Sequence, residues 1–70
     1  MNRIRKLREE RGWTQAVLGE HMGVRQATVS LWETGAVIPR KAMAKQLARI
    51  LKVKVEQLEL EPPKRTPTAS

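Results

Sequence analysis

GVRQATVSLWETG, residues 23–35, holds the decision about the fold: a glycine turn, a short polar run, two apolar anchors three apart at Val29 and Trp32, and a second glycine. Apolar residues at that spacing mark one face of a helix, and glycines bracketing the run mark its two boundaries. The stretch therefore predicts a helix from Arg25 or Gln26 to Thr34, with Val29 and Trp32 turned inward and the other side chains turned outward. Working back from Gly23, Gln15 to Met22 reads as a second short helix with Thr14 as its N-cap and Leu18 and Met22 on its inner face. Gly19 lies inside that helix, where glycine costs about 1 kcal/mol relative to alanine, so another backbone, expected to be that of a crossing helix, must pass close by. Two short helices about a tight glycine turn, anchored by Leu18, Val29 and Trp32, form a helix-turn-helix whose second helix can enter a major groove.

The flanks continue in helices. From Asn2 to Arg11, Ile4 and Leu7 recur at helical spacing among charges, and Gly12 supplies a stop. After a loop at residues 36–39, Pro39 suits the entry to a helix from Arg40 to Leu51, striped by Met43, Ala44, Leu47, Ala48, Ile50 and Leu51. Val55 to Glu59 allows one more helical turn, with Val53, Val55 and Leu58 available for burial. EPPKRTPTAS, residues 61–70, has three prolines and no large apolar residue, so it cannot offset its ordering entropy by burial and is expected to be a disordered tail. The expectation is an all-α chain: a bundle of five short helices over residues 1–60, then the tail.

Composition narrows the function. Seventy residues support one small core and no large buried pocket. Without cysteine there is no disulfide, thiolate metal site or thiol nucleophile. Aspartate is absent and His21 is the lone histidine, an inventory poor for catalysis, so no enzyme, cofactor or metal is expected. Fourteen lysines and arginines against seven acidic residues leave a net charge of +7, which points to a polyanion, nucleic acid ahead of a membrane surface. The basic start MNRIRKLREERGW lacks the apolar core of a secretory signal, and no stretch nears the roughly 18 apolar residues of a membrane span. A soluble, cytoplasmic protein is the expectation.

TQAVLGEHMGVRQATVSLWETG, residues 14–35, resembles the helix-turn-helix of the Cro and C1 repressor family, also called the Xre family. That family repeats T-Q, a small residue, G-V, a T-V or T-I pair, then W-E and glycine at this spacing. The likeness extends over about residues 3–59, through LREERGWTQ before the motif and IPRKAMAKQLARILKVKVEQLE after it. It implies a five-helix domain that binds double-stranded operator DNA, usually as a homodimer on an inverted repeat. Carried over position by position, Gln15 falls where the family touches a backbone phosphate and Gln26 where a glutamine often reads a base. Gln26 is chemically suited to adenine N6 and N7. Ala27, Thr28, Ser30 and Leu31 complete the outward surface, the two apolar ones for thymine methyls and the two hydroxyls for bases or phosphates. Arg40 and Lys41 fall where the family approaches phosphates. Arg8 and Glu33 fall where it carries a buried or half-buried ion pair joining the first helix to the third.

Three positions depart from that pattern. Arg25 replaces the usual serine or threonine cap of the third helix, which weakens the cap and opens a phosphate or guanine contact. Leu31 stands where a polar or basic residue is usual, and Lys52 where glycine or asparagine often ends the fourth helix. Trp13 and Trp32 are read as packing residues and His21 as a surface residue. Val37 and Ile38 stay open between packing and a dimer surface. The functional expectation is a Cro-like repressor; the alternative is an antitoxin or controller subunit that mainly holds a protein partner, with DNA binding secondary.

Overall fold

Thr14 opens the helix whose ends the local chemistry fixes most sharply: in the computed structural model its hydroxyl oxygen accepts from the Val17 N–H at 3.1 Å, which satisfies one of the orphan donors of a helix start. That helix, α2, runs Gln15–Met22 and stops at Gly23, whose φ of 74° lies in the left-handed region open to glycine. The Val24 N–H then returns to the Gly19 carbonyl at 2.9 Å and the Gly23 N–H to the Glu20 carbonyl at 3.3 Å, which seals the helix end. The turn delivers the chain into α3, Gln26–Thr34, and the two helices are the most closely associated pair in the fold. Both sets of bounds match the expectation from the sequence.

The structure describes residues 2–60, so the expected tail at 61–70, with Lys64 and Arg65, lies outside it. Before the motif, α1 spans Ile4–Glu10, two residues shorter at its start and one at its end than the sequence suggested. Its N-cap, Arg3, makes no side-chain cap bond, but Asn2 before it does bind the helix start: its Oδ1 accepts from the Ile4 N–H at 3.0 Å while its amide nitrogen donates to the Trp32 carbonyl at 2.8 Å, tying this part of the chain to α3. After the motif, α4 spans Lys41–Leu51. The fifth helix expected from the sequence is corrected to a single 3-10 turn, Val55–Leu58. It holds only one buried side chain, Leu58, which leaves too little apolar periodicity for propagation past one turn. The architecture is therefore four α-helices and one 3-10 turn, with no strand among the described residues.

Ile4 and Leu7 of α1, Leu18 and Met22 of α2, Val29 and Trp32 of α3, Ala44, Leu47, Ala48 and Leu51 of α4, and Leu58 form one core. Each is buried. The first and last elements meet: the Arg3 N–H donates to the Leu58 carbonyl at 2.9 Å. Arg11 reinforces that closure, its guanidinium donating to the Leu7 carbonyl at 2.9 Å and to the Leu51 carbonyl at the end of α4.

Gly19 has a neighbour other than the crossing helix expected for it. A Cβ built there would meet the Val24 carbonyl oxygen at 2.7 Å, so the space is taken by the turn that follows the same helix. The glycine lets the turn fold back on α2.

Lys52 ends α4 in the left-handed region at φ 59°, with its N–H on the Arg49 carbonyl at 3.1 Å and the Val53 N–H on the Ala48 carbonyl at 2.9 Å. The helix termination is that of a glycine stop, made by an exposed lysine that bears the steric cost of the conformation. Lys52→Gly relieves that cost, partly offset by the greater freedom of glycine in the unfolded chain. The expected result in thermal denaturation is a gain of about 0.5 kcal/mol, or roughly 2–4 °C in midpoint for a domain of this size; an unchanged or lowered midpoint would mean that Lys52 bears no such strain.

Candidate nucleic-acid interface

The surface of α3 follows from its phase. Val29, Trp32 and Glu33 are buried, which leaves Ala27, Leu31 and Thr34 as the stripe opposite the core, all exposed, with Gln26 and Arg25 exposed at the helix start. Thr28 and Ser30, expected to face outward, are half-buried flanks of the stripe. Glu33, grouped with the outward side chains by its local pattern, points inward. Thr34 is the residue that reading by type passed over. Its place three after Leu31 and seven after Ala27 gives it the same face.

Beneath the start of this surface lies a polar chain. Arg8 of α1 donates from Nε to Glu33 Oε2 at 2.6 Å and from Nη2 to Glu33 Oε1 at 3.3 Å, a two-point pairing of guanidinium and carboxylate. Its third nitrogen, Nη1, donates to the Trp13 carbonyl at 2.7 Å. Both Arg8 and Glu33 are buried, so the ion pair that the resemblance implied is present and largely withdrawn from solvent. The hydrogen bond to Glu33 is the largest cause holding the Arg8 guanidinium above its ordinary pKa, against the opposing effect of burial. The chain goes on to the surface: Gln15 Nε2 donates to Glu33 Oε1 at 3.0 Å, and Gln26 Nε2 donates to Gln15 Oε1 at 3.4 Å. The structure thus brings Gln15 and Gln26, eleven residues apart, side by side at the starts of α2 and α3.

Electrostatics favour an anion along this edge. None of the four α-helices carries an acidic residue in its first turn, so the positive ends of their backbone dipoles are left uncompensated by carboxylates. Arg40 and Lys41 are exposed at the start of α4, where the positive end of the helix dipole adds to their own positive potential and strengthens the attraction for an anion. Arg5, Lys6 and Glu9 of α1, together with Asn2, Gln15 and Thr34, line a cleft of about 600 Å³ whose floor is the Arg8–Glu33 pair, and there Arg5 is paired with Glu9 at 3.0 Å. Leu31 and Val37 are exposed apolar residues next to it in sequence, the Val37 N–H bonding to the Leu31 carbonyl at 3.2 Å. Ile38 is half-buried, so the two loop residues divide between solvent and packing. Trp32 is in the core as expected; Trp13 is half-buried and stacks on the exposed His21 ring, centroids 4.5 Å apart. No group of histidine, cysteine or acidic residues among the described residues is placed to hold a metal ion. No helix there is long and apolar enough to cross a membrane.

Comparison with known proteins agrees with this geometry. A family model described as helix-turn-helix matches residues 4–58. The chain is 32% identical over 57 residues, 81% of its length and 86% of the relative's, to an uncharacterized HTH-type transcriptional regulator, YgzD, of Bacillus subtilis strain 168. No solved structure matches. A match from the first turn of α1 to the end of the 3-10 turn takes in the whole described core, and the chain belongs to the helix-turn-helix family of the Cro/C1 type.

Proposed function

We propose that the protein is a sequence-specific repressor that binds an inverted-repeat operator as a homodimer, with α3 in the major groove of each half-site. The observation that carries this reading is the surface where half-buried Gln15 meets Gln26 and the exposed stripe Ala27, Leu31 and Thr34 follows along α3, with exposed Arg25 at the start of α3 and no acidic residue in the first turn of α2 or α3; Arg40 and Lys41 are exposed at the start of α4. Gln15, Arg40 and Lys41 set position on phosphates, while Gln26, Ala27, Leu31 and the flanking Thr28 and Ser30 meet base edges; Arg25 takes a phosphate or a guanine. Two such helices reach successive major grooves about 34 Å apart in a two-fold dimer. Occupying a promoter in this way excludes polymerase, and no cofactor or catalytic step is needed.

Selection from a random duplex library at roughly 150 mM salt, where non-specific phosphate binding is reduced, tests this. The expected outcome is an inverted repeat with half-sites one helical turn apart. Gln26→Ala should blur one symmetric position, with a loss of discrimination there of about 1–3 kcal/mol. A folded protein that enriches no sequence would sink the operator reading. The second reading, a module whose main work is to hold a protein partner, draws on the exposed Leu31, Val37 and Val55. It would be favoured by a partner that copurifies at high salt, where phosphate contacts fail and apolar ones persist.

A further inference from the structure

We propose that the exposed face of α3 beyond Gln26 reads a pyrimidine by its C5-methyl group, with Leu31 as the seat, so that 5-methylcytosine substitutes for thymine there and cytosine methylation can create a binding site. The proposal deepens the operator reading above and rests on it. Its ground is what the surface lacks. From residue 27 to residue 37 the exposed residues are Ala27, Leu31, Thr34, Ala36 and Val37, four of them apolar. The one hydroxyl in this set is already engaged: Thr34 Oγ1 donates to the Leu31 carbonyl at 3.2 Å and accepts from the Ala36 N–H at 3.4 Å. A hydroxyl has a single O–H, and here it is spent on backbone. Along this face, therefore, no exposed side chain has a donor to offer to purine N7 or O6 or to thymine O4.

The Leu31 carbonyl accepts a second bond, from the Val37 N–H at 3.2 Å, so Thr34 and Val37 both close on the turn that carries Leu31. Backbone bonds thus brace the apolar surface before any ligand arrives, which lowers the ordering cost of binding. The setting favours DNA over an apolar protein: exposed Arg25 and Gln26 precede the patch in the chain and exposed Arg40 and Lys41 follow it, cations suited to the phosphates on either side of a groove. Laid on the polar edge of a base, an apolar surface removes water from donors and acceptors and returns no bond. Laid on a methyl group it gains, by about fourfold in affinity for each methyl buried. Thymine and 5-methylcytosine carry that methyl on the same ring carbon, where uracil and cytosine carry hydrogen. Leucine makes no hydrogen bond, so it has no means of telling the exocyclic oxygen of thymine from the amino group of 5-methylcytosine.

The test removes and restores single methyl groups. Binding is measured by fluorescence anisotropy on the duplex that the natural protein selects from a random library. Each selected thymine is replaced in turn, in both half-sites, by uracil, by cytosine paired with guanine, and by 5-methylcytosine paired with guanine. At one thymine the expected result is a loss of about fifteenfold with uracil, fourfold for each half-site, a comparable or larger loss with cytosine, and recovery of about fifteenfold when that cytosine is methylated. Leu31→Ala, an exposed helical position where alanine is well tolerated, should bind the thymine and uracil duplexes within about twofold of each other. Uracil that binds as well as thymine at every position, a selected half-site without thymine, or a methyl preference that survives Leu31→Ala would each overturn the proposal while the selected inverted repeat upheld the operator reading. If no sequence is enriched, the operator reading falls and takes the proposal with it.

Discussion

Glu33→Ala is expected to remove about 3–5 kcal/mol of stability, the usual cost of breaking a buried ion pair from one side. The domain has little to spare: at ~0.05–0.15 kcal/mol per residue, a chain of this size holds only several kcal/mol in all. Alanine leaves the buried Arg8 guanidinium with its bond to the Trp13 carbonyl and the exposed Glu9 carboxylate 3.9 Å from Nη2, but without the carboxylate that met Nε and Nη2 directly. Gln15 loses its acceptor as well. The desolvated charge, more than the lost attraction, dominates the cost, so the apolar pair Arg8→Met/Glu33→Leu should recover most of it. Urea denaturation followed by tryptophan fluorescence reads this directly, because Trp32 is buried beside Glu33 in the chain. A loss below about 1 kcal/mol would be the behaviour of a surface pair and would contradict the buried geometry.

The second large effect is expected at Gly19→Val. The first added carbon meets a backbone oxygen, Val24 O, at 2.7 Å, and backbone in a tight turn cannot swing aside as a side chain can. Overfilling a packed site costs about 1–3 kcal/mol and at times more, and the second and third carbons of valine have to fit the same space. We expect about 3 kcal/mol, which the better helix propensity of valine, a few tenths of a kcal/mol, does not offset. The damage also reaches function: moving Val24 shifts the Gly23 turn and with it the start of α3, so the Gln26-to-Gln15 bond should be lost with the stability. Thermal denaturation by circular dichroism gives the first quantity. A midpoint within about 2 °C of the natural protein would show that the turn relaxes freely and that Gly19 is not held by the carbonyl.

What the sequence disclosed and what it hid divide along a physical line. The bounds of α2 and α3 were legible because they depend on chemistry within a few residues: a threonine hydroxyl three before Val17, and glycines at 23 and 35 in the left-handed region. The entry to α4 was legible to within one residue: the helix expected from Arg40 begins at Lys41, with Arg40 as its N-cap just after Pro39. The last element was overcalled because Val53, Val55 and Leu58 look equally available for burial, yet only Leu58 is fully buried, Val53 packs half-buried against the core and Val55 is exposed. Gly19 announced a close approach without naming the neighbour, since a crossing helix and a returning turn leave the same gap in the sequence. Glu33 is the sharpest case. On its own helix it looks like one more solvated carboxylate, and its burial follows from a guanidinium 25 residues earlier, which only the likeness to a known pattern brought into view. For the proposed interface, the likeness to the family pointed to Gln15 and Gln26, and residue type with helical phase to Ala27 and Leu31. Phase alone could have added Thr34 and moved Thr28 and Ser30 to the flanks. The bond from Gln26 to Gln15 depends on how two helices meet across the turn, a relation in space that spacing along the chain does not encode.

The hydrogen bond from Arg3 to Leu58 gives the described fold a single doorway. Chain enters and leaves side by side, so the described unit behaves as a cassette: anything joined before residue 2 or after residue 60 emerges from one place on its surface. Splicing it into a loop of another protein would require an insertion site with closely spaced ends and little else. A mechanical load applied across the same two points would be borne first by the bonds of Asn2 to Trp32 and of Arg3 to Leu58, and by the seats of Leu58 and Leu60 against the core. The doorway is thus the natural place for such a module to be grafted, and the place from which it would be unzipped.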